Sequence, residues 1–200
     1  MATVELLPKQ RVPLFTNAGF LTAADLEHFP AEIPSGPVDY ELDNGLLVMM
    51  KRPSARHAGL HAKITGELYI QGQQLSYGSV QTEPGLILWR NPDRVVGPDV
   101  AFFAKSIFPL RESREGYYET MPSLVVEVRS KNDSRPFVDR KVNDYLQAGV
   151  PLVWVVDADD QTVLVMRAGV ATQTLGIGDV LTAENLIPGF RLPIADLFRE

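Results

Sequence analysis

Continuous apolar runs, bounded by turn residues, dominate the middle of the chain. Three of them are Val95–Phe103, Ser123–Ser130 and Pro151–Asp157. Runs of this length, rich in β-branched residues, are typical of strands that are buried on both faces of a sheet. We therefore predict three interior strands in this region.

A helical period separates the last two of these strands. Val138, Val142, Tyr145 and Leu146 recur at the spacing of one helix face, and Gly149 follows as a stop signal. A strand, a helix and a strand in succession favour a right-handed parallel βαβ unit.

The preceding part of the chain predicts a hairpin and then a helix. Asn44-Gly45 lies within the apolar stretch Tyr40–Met50, and this dipeptide is the strongest short signal for a hairpin turn. A helix is expected over Arg56–Gln73, with Ser54 as its N-cap. Its apolar face repeats every fourth residue: Leu60, Ile64 and Leu68.

Further short strands are expected on both sides of the central region. Tyr77–Thr82 and Gly85–Arg90 precede Val95–Phe103 and predict, together with it, an antiparallel meander. After Asp157, the runs Thr162–Arg167 and Val170–Leu175 predict a C-terminal β-hairpin.

Residues 1–37 have a different character, because five prolines interrupt them. We predict an irregular N-terminal arm with one short helix, capped by Thr22 and with Asp25 in the capping-box position. Residues 38–200 form the predicted domain, with Lys105–Met121 as an exposed loop. The predicted fold class is α/β: a helix, a β-meander and a βαβ unit on one mixed sheet.

Composition narrows the class of protein. A 45% hydrophobic and 22% charged chain of 200 residues is typical of one folded domain. The formal charge of −6 is not that of a general nucleic-acid binder, although a local basic patch can act within an acidic protein. The absence of cysteine excludes disulfides, thiol catalysis and cysteine-based zinc sites. With neither a signal peptide nor a membrane span in the sequence, we expect a cytoplasmic protein that does not contact membranes.

Two carboxylates stand out against the apolar strands. Asp99 follows Pro98 near the start of one strand, and Glu127 lies near the end of another. Burying a carboxylate is costly unless it is paired or binds a metal, so the two acids predict a site for Mg²⁺ or Mn²⁺. Lys141 lies on the edge of the buried face of the following helix, where it would position water or stabilise charge.

Each of these residues also has a simpler interpretation. Asp99 could cap a turn after Pro98, Glu127 could pair with Arg129 or Arg140, and Lys141 could lie across the sheet surface. His57 and His61 have a spacing that can bind a metal, which leaves a histidine-centred metallohydrolase as a weaker hypothesis.

The order and spacing of several motifs resemble the Uma2 family, also called DUF820. The resemblance spans about Tyr40 to Phe198 and is carried by these motifs: Gly97-Pro98-Asp99, Val126-Glu127-Val128, Lys141 to Tyr145, Ala148-Gly149-Val150 and Trp154-Val155-Val156-Asp157. The family is assigned to the PD-(D/E)XK superfamily, so the resemblance implies a restriction-endonuclease-like fold and a metal-dependent endonuclease acting on nucleic acid, most plausibly DNA.

The resemblance also implies roles for individual residues. Asp99 and Glu127 would bind the metal. Lys141 would replace the usual lysine two positions after the glutamate, where Arg129 stands, with Arg129 and Lys131 as the alternative substitutes. Glu41 and His57 would assist the site, and a homodimer is expected. The alternative hypothesis is an interaction or scaffold protein that keeps the nuclease fold without turnover, which the net negative charge and Arg129 in the usual lysine position favour.

The segment 129–141 adds a locally positive rim. It holds five basic residues against two acidic ones. From this rim we predict three contacts to substrate phosphates: Arg129, Lys131 and Arg140.

Overall fold

The computed structural model describes residues 19–34, 36–50, 53–107, 116–129 and 134–199. The first half of the predicted Pro-rich arm, the middle of the predicted loop Lys105–Met121 and the substrate candidate Lys131 lie outside the described residues. The division into an arm and a domain at residue 37 stays a prediction.

The described residues contain four α helices and fourteen strands. The helices are α1 (Ala23–Leu26), α2 (Ala55–Leu68), α3 (Arg135–Gln147) and α4 (Ile194–Phe198). The strands are β1 (Glu32–Ile33), β2 (Gly36–Pro37), β3 (Asp39–Asp43), β4 (Leu46–Met50), β5 (Gly78–Thr82), β6 (Leu86–Trp89), β7 (Arg94–Val96), β8 (Val100–Ala104), β9 (Leu124–Arg129), β10 (Val153–Asp157), β11 (Thr162–Arg167), β12 (Val170–Leu175), β13 (Val180–Thr182) and β14 (Arg191–Pro193).

A six-stranded mixed sheet forms the centre of the fold, in the order β12-β11-β10-β9-β8-β5. β9 and β10 are parallel and α3 connects them, so the predicted βαβ unit is confirmed. β11 and β12 form the predicted C-terminal hairpin.

Alternate residues of the central strands contact helices on opposite faces of this sheet. Phe102 and Val126 pack in one cluster with α2, whereas Phe103 and Val125 pack in a second cluster with α3. The strands are therefore buried on both faces, which explains their continuous apolar runs.

A four-stranded antiparallel sheet, in the order β4-β3-β7-β6, lies beside the α3 face of the larger sheet. Its β3–β4 hairpin turns at Asn44 and Gly45, both with positive φ (51° and 79°), as predicted from that dipeptide. The short helix α1 begins with the predicted capping box of Thr22 and Asp25 and packs on this sheet through Leu26.

The prediction of one strand over Val95–Phe103 is wrong. The chain forms β7, leaves the four-stranded sheet at Gly97-Pro98-Asp99, and enters the six-stranded sheet as β8. Proline lacks the N–H that a ladder needs, so the strand ends there. The three strands predicted as one meander are thus divided between two sheets.

The helix predicted over Arg56–Gln73 begins at Ala55, with Ser54 as the N-cap as expected. It ends in a π-helical turn at Tyr69–Gln73. Gly72 packs closely in this turn, since a Cβ there would lie 2.7 Å from the Phe102 ring. In the described part of the chain, no helix is both long and apolar enough to span a membrane.

Candidate active site

The two acids singled out from the sequence lie side by side. β8 and β9 are antiparallel with Val100 opposite Val126, which brings Asp99 beside Glu127. Asp99 is fixed to the neighbouring strand because its Oδ2 accepts a hydrogen bond from the Val128 N–H at 2.6 Å. Both carboxylates line a cavity of about 700 Å³ between the two sheets.

Lys141 lies on α3 directly against this pair of acids. Its Nζ is 2.9 Å from Glu127 Oε1, 3.1 Å from Glu41 Oε1 and 3.5 Å from the Gly97 carbonyl oxygen. Burial alone would lower the pKa of Lys141, but the Glu127 and Glu41 carboxylates outweigh that effect and hold the pKa above its usual value. The side chain, 3% exposed, is a buried ammonium and does not lie across the sheet surface.

Glu127 is an acid that lies between Lys141, Tyr145 and Asp99. Burial raises the pKa of its carboxyl to about 7, with the Lys141 charge opposing the rise and the Asp99 charge adding to it. The Tyr145 hydroxyl also donates a hydrogen bond to Glu127 Oε1 at 2.5 Å. A further positive charge in the cavity would stabilise the ionised form of this acid.

Glu41 reaches the site from the other sheet, on β3. Its Oε1 accepts hydrogen bonds from Lys141 Nζ at 3.1 Å and from the Gly97 N–H at 3.0 Å. Its Oε2 lies 3.8 Å from Nη1 of the buried Arg94. Glu41 therefore anchors Lys141 and links the four-stranded sheet to α3.

His57 stands in the first turn of α2, where the Ser54 hydroxyl accepts a hydrogen bond from its backbone N–H at 3.2 Å. Its Nε2 lies 3.2 Å from Asp99 Oδ1. The His61 ring lies edge to face with the His57 ring, 6.3 Å away, and His61 does not line the cavity. The structure thus brings His57, but not His61, to the acids.

The three predicted substrate contacts are placed differently. Arg129 lines the cavity and forms a bidentate pair with Asp157, at 2.8 Å and 2.9 Å. Arg140 is solvent-exposed, and its Nη1 donates a hydrogen bond to Asp43 at 3.3 Å. The third candidate, Lys131, lies outside the described residues.

The sequence did not identify three polar residues next to the site. The sequence pattern predicts Tyr145 on the apolar face of the helix and assigns no role to Arg94 or Asp144. In the structure Arg94 Nε donates to Asp144 Oδ2 at 2.7 Å while Nη1 donates to the Leu42 carbonyl oxygen. A signal was present, because Asp144 follows Lys141 by three and Tyr145 follows it by four, on neighbouring positions of one helix face.

The residues present fit a divalent cation held by two carboxylates. Among the described residues, no cluster of three or more His, Cys, Asp or Glu side chains is arranged as a complete metal cage. Mg²⁺ does not need such a cage, since it commonly binds one or two carboxylates and completes its shell with water and substrate oxygens. Asp99 and Glu127 supply two hard oxygen ligands at the wall of an open cavity, in an environment that favours added positive charge.

Comparisons with known proteins agree on the family and the fold. The sequence matches the Uma2 family, described as "Putative restriction endonuclease", over residues 24–195. A similar solved structure is that of "a putative nuclease belonging to DUF820 from Anabaena variabilis ATCC 29413". It is 19% identical, has a TM-score of 0.74, and the match covers 89% of this chain and 97% of that one. No curated protein matches the chain.

The structural likeness confirms the α/β, restriction-endonuclease-like fold that the sequence predicted. The family match extends over most of the chain, from α1 to the start of α4, and includes every acid of the site. The chain therefore belongs to the Uma2 family.

Proposed function

We propose that this protein is a divalent-cation-dependent endonuclease that hydrolyses phosphodiester bonds in nucleic acid, with DNA as the expected substrate. The observation that carries the proposal is the contiguous Asp99–Glu127–Lys141 group, in which two adjacent carboxylates line a cavity and a buried ammonium lies 2.9 Å from one of them. The family description supports the nuclease class.

Asp99 and Glu127 would hold Mg²⁺ or Mn²⁺, which would supply a low-pKa water and charge stabilisation at the phosphorus centre. His57 would orient the Asp99 carboxylate through the contact between its Nε2 and Asp99 Oδ1, at 3.2 Å. Lys141 would act chiefly through its charge, because its three N–H donors already face three acceptors. That charge would stabilise the electron density that builds up on the phosphate oxygens.

The remaining residues would position these groups and the substrate. Glu41 would anchor Lys141 from the second sheet. Arg140, at the exposed rim, would contact substrate phosphates together with Lys131, whereas Arg129 would contribute long-range positive charge while paired with Asp157. We also propose a homodimer, since cutting both strands of a duplex requires two sites.

An alternative role, a scaffold without turnover, is favoured by one specific observation. The usual position of the catalytic lysine holds Arg129, and this guanidinium is bound to Asp157 in a pair that joins β9 and β10. An inactive protein would keep that pair for stability and would not need Lys141 to be charged.

The test is a nicking assay on supercoiled plasmid with Mg²⁺, with Mn²⁺ or with EDTA. The wild type is compared with Asp99→Asn and Glu127→Gln, and with Asp196→Asn as a control carboxylate outside the cavity. We expect metal-dependent nicking in the wild type and the control and a loss of about 100-fold or more in the two site variants. Equal inactivity of all four proteins, with no Mn²⁺ binding, would support the scaffold instead.

A further inference from the structure

One oxygen of Glu127 contacts both of the polar side chains that α3 places beside this carboxylate. The Tyr145 hydroxyl donates to Oε1 at 2.5 Å, and Lys141 Nζ lies 2.9 Å from the same atom. The two donors are four residues apart and so occupy successive turns of one helix face. Within the described part of the chain, no hydrogen bond reaches Oε2.

We propose that Tyr145 is a positioning residue that holds Oε1 of Glu127, together with Lys141, and so leaves Oε2 as the single oxygen that binds the cation. The inference rests on the proposed function, because it assigns the geometry of the same metal site. It adds a residue to that site and predicts monodentate binding by Glu127.

The contacts explain why a tyrosine is needed at this position. The ring is fully buried among the apolar residues of α3, β9 and β10, where a phenylalanine would pack equally well. The hydroxyl is therefore the part with a polar task, and it finds its partner in Glu127.

Fixing one carboxylate oxygen helps the other to bind a cation. A carboxylate that is already ordered loses less conformational freedom when a metal arrives, and its orientation does not have to be set by the metal itself. Without the hydroxyl, Oε1 of Glu127 would be held by Lys141 alone, and the carboxylate would be less firmly oriented.

The first experiment measures Mn²⁺ binding by isothermal titration calorimetry on the whole chain, for the wild type and Tyr145→Phe. Tyr118→Phe is the matched control, since Tyr118 packs against the same core cluster and is not part of the cavity lining. We expect the Kd for Mn²⁺ to rise about tenfold or more in Tyr145→Phe and to stay unchanged in the control. Excess Mn²⁺ should restore the cleavage rate of Tyr145→Phe, which a purely structural defect would not allow.

The second experiment does not depend on a variant and would be decisive even if Tyr145→Phe failed to fold. A crystal structure of the wild type with Mn²⁺ should show the ion on Oε2, with the Tyr145 hydroxyl still within hydrogen-bond distance of Oε1. Bidentate binding by Glu127, or an ion on Oε1, would overturn the inference.

The outcomes separate this inference from the proposed function. If the wild type binds Mn²⁺ and cleaves plasmid while Tyr145→Phe binds Mn²⁺ with the same Kd, the inference fails and the nuclease proposal stands. If the wild type binds no Mn²⁺ and cleaves nothing, both fail together.

Discussion

The Arg129 guanidinium and the Asp157 carboxylate form a two-point hydrogen-bonded pair, from Nε to Oδ2 at 2.8 Å and from Nη2 to Oδ1 at 2.9 Å. They stand directly opposite each other on the parallel strands β9 and β10. Arg129, which lines the cavity, therefore ties two central strands together.

This pairing predicts different effects for the two basic residues near Glu127. Arg129→Met should lower the free energy of unfolding by about 2 kcal/mol, because Asp157 loses two charge-assisted hydrogen bonds and keeps only its backbone N–H donors. Lys141→Met should instead lower plasmid cleavage by about 100-fold, because the charge beside Glu127 is lost. Urea unfolding and the nicking assay measure the two effects.

Lys141→Met also leaves two acids without their partner, so the double variant Lys141→Met/Glu41→Gln serves as its control. The double variant should recover much of the stability and none of the activity. Full activity in Lys141→Met, with loss of activity in Arg129→Met, would mean that Arg129 and not Lys141 is the catalytic basic side chain.

Glu41 predicts a variant that separates metal binding from turnover. Its carboxylate contacts Lys141 and Gly97 and faces Arg94, so it is engaged by protein groups on both oxygens. Glu41→Gln should keep the Kd for Mn²⁺ within about threefold of wild type but slow cleavage about tenfold, because Lys141 is less firmly held. A large loss of Mn²⁺ affinity, measured by calorimetry, would instead make Glu41 a metal ligand.

The pH dependence of stability should carry a signature of Asp157. Burial alone would raise the pKa of this carboxyl, but hydrogen bonds from Arg129 and from the N–H groups of Asp160 and Asp159 bring it below its ordinary value. The folded state therefore binds fewer protons than the unfolded state around and below the ordinary pKa, and Asp157 stabilises the fold at neutral pH. This contribution should fall as the pH drops below about 4.

The measurement is urea unfolding of the wild type and Asp157→Asn at pH 7 and at pH 3. The difference in unfolding free energy between the two proteins should be largest at pH 7 and should shrink at pH 3. A constant difference would mean that the charge of Asp157 does not stabilise the fold.

Ser54 predicts a local effect on His57. Its hydroxyl accepts the His57 N–H at the start of α2, so Ser54→Ala should cost about 1 kcal/mol of stability and loosen the first turn of the helix. Ser54→Asp, which keeps an acceptor, is the matched control. Hydrogen exchange at the His57 amide should rise in the alanine variant and stay low in the aspartate variant.

The sequence predicted those parts of the fold that depend on local signals. Asn44-Gly45 favoured the hairpin. Ser54 and the apolar residue at every fourth position favoured α2, and the helical spacing of apolar residues before Gly149 favoured α3. Each of these signals acts within a few residues, and the structure agrees with each of them.

Features that depend on distant partners were not predictable in this way. The segment Val95–Phe103 looks like one apolar strand, and only the pairing of β7 with β3 and of β8 with β9 divides it between two sheets. Arg94 and Asp144 have the residue types of a solvated surface, yet they meet across 50 positions, with Arg94 buried and Asp144 half-buried. The proximity of Asp99 to Glu127 was predictable because each interrupts an otherwise apolar run of the sequence.

The contact between Glu41 and Lys141 joins residues that are 100 positions apart in the chain. Contacts between residues this far apart slow folding, because the entropy of loop closure is lost before the contact stabilises the fold. The buried ammonium therefore acquires its second counter-ion only when the small sheet has docked on the large one. A chain in which the two sheets have not docked lacks the complete ion cluster, so the site forms only when the whole fold is complete.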